Sequence, residues 1–196
     1  MKTTKTLFIV LLFIANYAVK AQTLFNVTGG GSYCAGGSGV VVGLDGSENT
    51  KTYEIFINGF ASGITAIGNG SAISFGNQTT AGSYTVKLVL PLTSMTGSVT
   101  VTVNAVPTAG LTSSDADNII CAGESVTFTA TGGANYEFFV GAASQGAASA
   151  TATFTTTSLT NGQTVTVIVT NASSCSATSA GITTTVNAVP TAGLSS

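Results

Sequence analysis

The sequence predicts an all-β protein: two tandem antiparallel β-sandwiches behind an N-terminal signal peptide. Three observations carry this reading. Apolar, mostly β-branched residues alternate with threonine and serine at period two over many short segments. A ten-residue string and several shorter ones recur one unit later in the chain. No segment beyond Gln22 has helical periodicity.

Composition narrows the function. Of 196 residues only 6% are charged, while 44% are hydrophobic and the mean hydropathy is +0.48. A core can be built, and disorder driven by charge is excluded. There is no histidine and no arginine. Nucleic-acid binding is excluded, because it relies on clustered Lys and Arg. Acid–base catalysis loses its commonest side chain.

The N-terminus reads as an export signal. Lys2 and Lys5 precede the unbroken apolar run Leu7 to Ala15, and small residues Val19 and Ala21 flank Lys20 before Gln22. Cleavage is expected after Ala21. The run falls short of the ~20 residues that cross a bilayer, and no later stretch is apolar enough for a transmembrane segment. No cysteine stands at the cleavage point to mark a lipoprotein. The mature chain keeps Lys51 and Lys87 against seven acidic residues, a formal charge of −5. A secreted or extracellular location, at the cell surface, is expected.

The repeat sets the domain division. Thr102 to Leu111 reads TVNAVPTAGL, and Thr185 to Leu194 reads the same, 83 positions on. Tyr53-Glu54-Ile55-Phe56 and Tyr136-Glu137-Phe138-Phe139 keep that spacing, and Cys34-Ala35-Gly36 returns as Cys121-Ala122-Gly123. A unit of this length matches one immunoglobulin-like sandwich. The expected domains are residues 22–106 and 107–189, with 190–196 opening a further repeat or linker. Pro107 and Pro190 stiffen the connections.

Strands follow from the alternation. In the first unit Tyr84, Val86, Leu88 and Leu90 share one face, as do Val99, Val101 and Val103. In the second unit Val126, Phe128 and Ala130 face inward, then Val165, Val167 and Val169, then Ile182, Thr184 and Val186. Asp45-Gly46, Asn58-Gly59, Asn69-Gly70 and Asn161-Gly162 mark turns. Six or seven short strands per unit give two packed sheets with a Greek-key path.

Export permits disulfides. Cys121 precedes one core strand and Cys175 follows another, so a Cys121–Cys175 bond is expected, worth about 4 kcal/mol in the chain-entropy model. Aligning Asn104 with Asn187 puts Leu92 where Cys175 stands. Cys34 is then left as a free thiol, either reactive or a partly buried leftover.

Other candidates are few. Asp115 and Asp117 are weak calcium candidates, for which an Asx-turn role is the competing explanation. Tyr53 and Tyr136 point inward as core fillers, which turns Phe56 and Phe139 outward as candidate ligand-facing aromatics or as covers for neighbouring strands. Asn26, Asn69, Asn77 and Asn171 stand in glycosylation-type triplets and read as solvated loops. The glycine runs open no helix, so no phosphate loop is expected. Neither cofactor nor enzymatic activity is expected.

The stretches Cys34 to Glu48, Gly70 to Val86 and Ser113 to Gly133 resemble the tandem immunoglobulin-like or PKD-like repeats of large secreted Bacteroidota surface proteins, adhesin-like and exported by the type IX route. The resemblance implies a non-enzymatic spacer or adhesion segment of a larger protein, with extracellular glycans or surface proteins as partners. It also implies paired cysteines within a unit, from which Leu92 departs. The alternative role is that of stalk or carbohydrate-binding accessory domains of a secreted polysaccharide-degrading enzyme.

Overall fold

The computed structural model describes residues 22–191 and 193. The expected signal peptide and most of the expected further repeat lie outside these residues. The described residues form strands and turns, with no helix.

The first sandwich contains β1 (Val27–Gly29), β2 (Gly31–Cys34), β3 (Val40–Leu44), β4 (Thr52–Ile57), β5 (Phe60–Ile67), β6 (Ile73–Gln78), β7 (Gly82–Leu88), β8 (Thr93–Ser94) and β9 (Val99–Asn104). One sheet has the order β1-β3-β6, and the facing sheet β2-β9-β7-β4-β5, with β8 also on β7. The second sandwich contains β10 (Gly110–Ser113), β11 (Ile119–Cys121), β12 (Val126–Thr131), β13 (Asn135–Val140), β14 (Ala143–Ser144), β15 (Thr153–Thr156), β16 (Thr164–Thr170), β17 (Ser176–Thr178), β18 (Ile182–Thr183) and β19 (Thr185–Asn187). Here β10-β12-β15 form one sheet and β14-β13-β16-β17 the other, with β18 on β16 and β11 on β19.

The alternation holds where strands are central. Val42, Leu44, Tyr53, Ile55, Tyr84, Val86 and Leu88 form one core cluster; Val126, Phe128, Ala130, Val165, Val167 and Val169 form a separate one. Asn58 and Gly59, at φ 51° and 87°, join β4 to β5. Positive φ at both central residues is the primed hairpin turn that matches strand twist.

Two departures have clear causes. Leu90 is 78% exposed rather than inward, because β7 ends at Leu88 and the chain turns at Val89 and Leu90. The sandwiches are also not wholly antiparallel. β2 runs parallel to β9 and β11 runs parallel to β19, since after β1 and β10 the chain crosses to the opposite sheet before turning back.

That parallel pairing overturns the expected Cys121–Cys175 bond. Cys121 lies beside Asn187, where the last strand of the sandwich ends. Cys175 lies in the β16–β17 hairpin, before that strand begins. Between them the chain runs back along β16 as β17 and β18 before β19 carries it on to Asn187, so the two cysteines lie toward opposite ends of the sandwich. The bond is Cys34–Cys175 instead, with Cα atoms 5.6 Å apart, and Cys121 carries the free thiol, exposed. Cys34, expected to be free, is bonded.

Tyr84 ties the core to a loop. The side chain is fully buried and its hydroxyl donates to the Thr80 carbonyl at 2.7 Å, the tyrosine-corner arrangement of such sandwiches. Burial pushes the phenol up from its ordinary 10.0. Tyr84→Phe is expected to cost about 1 kcal/mol at neutral pH through the lost hydrogen bond. The unfolded phenol ionises first, so the tyrosine's contribution is complete below pH ~10 and falls as pH rises toward the folded value. Urea titrations of both proteins should therefore converge between pH 7 and pH 11; a gap that stays constant would rule the account out.

Candidate functional site: the junction between the sandwiches

The junction is built from one end of each sandwich. The first contributes the end of β2, where Cys34 pairs in register with Asn104 of β9. The second contributes the β16–β17 hairpin, residues 171–175. Asn171 organises this hairpin: its Oδ1 accepts from the N–H groups of Ser173 and Cys175 at 3.0 and 3.1 Å. Its N–H donates to the Cys175 carbonyl at 2.9 Å, and Ser174 takes φ 60°. The cysteine is therefore held on a preformed loop.

Covalent and hydrogen-bond contacts cross the junction. The Cys34–Cys175 bond joins chain positions 141 residues apart. Asn171 Nδ2 donates to the Ala105 carbonyl in the connecting segment at 2.8 Å. Cys175 is completely buried and Pro107 is buried with it. Gly132 is required nearby: at φ 102° it passes so close to the Thr108 carbonyl that a Cβ would overlap the backbone oxygen.

The remaining candidates do not converge on one site. Glu54 lies on the outer face, where its Oε1 accepts the Gly63 N–H at 3.0 Å. Phe56 shares that face, half-buried, with the Lys87 ammonium 4.1 Å from its ring centre. The cation already covers the ring. Phe139 is half-buried opposite Thr166 and Ser144. The carboxylates of Asp115 and Asp117 both accept the Ile119 N–H at 3.0 Å, the Asx-type geometry. Among the described residues no three His, Cys, Asp or Glu side chains gather as for a metal ion. Asp45 sits elsewhere, its carboxyl held below its ordinary range by hydrogen bonds from the Asn26 side chain and backbone.

Sequence reasoning missed two features. Asn171 is a junction residue, and its N-x-S triplet gave no hint of that. The second feature is an open cleft of about 170 Å³ on the second sandwich, lined by Tyr136, Phe138 and Phe154 with Gln145 and Ser149. It opens because β14 has only two residues, where the corresponding β5 of the first sandwich has eight. Tyr136, expected in the core, is half-buried at this cleft, with its hydroxyl on the Gly133 carbonyl.

Comparison with solved structures fits this architecture. A marsupial T cell receptor superposes with a TM-score of 0.53 at 13% identity, over 87% of this chain and 74% of that one. The fold is immunoglobulin-like. The fibronectin(III)-like modules of Clostridium thermocellum CbhA align over 83% of this chain and 93% of theirs, at 12% identity and a TM-score of 0.42. A 1.5-MDa bacterial ice-binding adhesin aligns over 86% of this chain and 66% of that one, at 14% identity and 0.41. No protein-family model matches the chain, and no curated protein matches it in sequence. At 13% identity the likeness to the T cell receptor speaks to the immunoglobulin-like fold alone. Among the described residues, no helix is long and apolar enough to cross a membrane.

Proposed function

We propose that this immunoglobulin-like chain is a non-enzymatic extracellular module, with units 22–106 and 107–189, serving as a spacer and adhesion segment of a larger secreted or cell-surface protein. The observation that carries the reading is the Cys34–Cys175 bond. Joined only by residues 105–109, two sandwiches would swing freely; domain motion is the default for a small interface. A covalent bond and the Asn171–Ala105 hydrogen bond fix the angle at the joint. A stiff joint suits a strut that holds other domains at a distance, where weak contacts along an array add through multivalency. Disulfides persist in oxidising compartments, in keeping with export.

Small-angle scattering tests this. The oxidised protein should give a narrow distance distribution with one maximum dimension, and Cys34→Ser should broaden it. Equally broad distributions would end the strut reading. The aromatic cleft of Tyr136, Phe138 and Phe154 favours the alternative, a carbohydrate-binding accessory module. Retention on an immobilised polysaccharide that Tyr136→Ala abolishes would decide for it.

A further inference from the structure

Cys121 stands in the second sandwich where Cys34 stands in the first. Each cysteine closes a short strand running parallel to the last strand of its sandwich, opposite the same asparagine of the repeat: Cys34 opposite Asn104, Cys121 opposite Asn187. The next residue donates its N–H to that asparagine's carbonyl, Ala35 at 2.8 Å and Ala122 at 2.9 Å. The turn that follows is also shared. Gly37 donates to the Cys34 carbonyl at 2.9 Å and Glu124 to the Cys121 carbonyl at 3.0 Å, across Gly36 and Gly123 at φ 83° and 85°.

The two sites differ in cover. Cys34 is bonded to the hairpin of the following sandwich, while Cys121 is free and exposed. Asn104 is half-buried and Pro107 buried at the first junction, whereas their equivalents Asn187 and Pro190 are exposed.

We propose that Cys121 is one half of a second inter-sandwich disulfide. Its partner is a cysteine in the hairpin, equivalent to residues 171–175, of a further unit of this repeat type entered through residues 185–194. Those residues repeat 102–111, the segment that at the first junction leads from β9 into β10 and sets the hairpin over Cys34. A second copy of this chain does not supply the partner. Its Cys175 is already bonded to its own Cys34, and its first sandwich carries Leu90-Pro91-Leu92 in the equivalent hairpin. The inference rests on the reading of the chain as a repeat module, and it deepens that reading into a ladder of bonds, one per junction. Bond formation removes one proton and one electron from each thiol. A small-molecule or protein disulfide accepts the two electrons and leaves as two thiols.

The test extends the chain in register: residues 22–189 followed by a copy of residues 107–196, refolded with oxidised glutathione. Non-reducing peptide mapping should find Cys121 joined to the copied Cys175 with Cys34–Cys175 intact, and alkylation should label only the copied Cys121. Labelling of Cys121 in the folded protein, a Cys121–Cys121 dimer, or a bond from Cys121 to its own sandwich would each overturn the proposal. A companion extension with Cys121→Ser and serine at the copied Cys175 reports whether the third unit folds without the bond. If it folds while the parent leaves Cys121 free, the proposal fails; if neither folds, that end cannot seat another sandwich and it fails too. The strut reading is tested separately, by scattering on the chain that lacks this bond.

Discussion

Cys34→Ser is expected to lower the stability of the two sandwiches, measured against the fully unfolded chain, by about 5 kcal/mol. The bond closes a loop of 141 residues, and the chain-entropy model assigns about that value to a loop of this length. The figure is large because β2 and the β16–β17 hairpin lie near opposite ends of the described chain. With the bond intact, unfolding either sandwich leaves a tethered loop rather than a free tail. Without it, the sandwiches keep the connecting segment, which the Asn171 hydrogen bond to Ala105 holds. A neutral hydrogen bond contributes about 1 kcal/mol, too little to couple two cores. Calorimetry should therefore show two resolved transitions in Cys34→Ser, where the oxidised protein shows one broad or merged transition. Identical denaturation profiles for the two proteins would mean that the bond constrains nothing. Native protein with and without a reductant gives the same comparison free of any substitution.

Local alternation was readable and long-range pairing was not. Val126, Phe128 and Ala130, and again Val165, Val167 and Val169, are buried as their period-two pattern requires, because side chains on a strand must alternate faces. The pattern failed at Leu90, since alternation does not say where a strand stops. It failed differently for the cysteines. Their order along the chain suggested a bond within the second unit, and only the parallel pairing of β11 with β19 shows that Cys121 and Cys175 lie at opposite ends. Strand direction in a crossover is a property of the whole topology, not of the residues in the strand. One clue was present. Leu92 leaves the first unit without an equivalent of Cys175, so pairing within each unit could never have used Cys34. Asn171 was illegible for a related reason: its side chain bonds a carbonyl 66 residues away.

Phe128→Ala should have the largest effect of any single core truncation in the second sandwich, about 3–5 kcal/mol. Phe128 is fully buried and lies directly opposite Phe154 in the β12–β15 pairing, with ring centres 6.4 Å apart. Phe154 in turn stacks on Phe138 of the other sheet at 5.6 Å. The three rings thus run from one sheet into the other, and removing Phe128, the most buried of them, leaves a void that its neighbours fill poorly. Phe154 also borders the open cleft, so Phe154→Ala exposes a site that water already reaches and should cost less. A domain of this size is stable by roughly 5–15 kcal/mol, so Phe128→Ala brings the second sandwich near its unfolding threshold at 37 °C. The first sandwich packs around Tyr53 and Tyr84 in its own cluster and, once Cys34→Ser removes the covalent coupling, should keep its midpoint. This selectivity separates two cores from one fused globule. In the Cys34→Ser background only the later-sequence sandwich should melt early in response to Phe128→Ala, reported by protease cleavage within residues 107–189 before residues 22–106. Equal destabilisation of both sandwiches in that background, where no covalent bond transmits it, would contradict two independent cores.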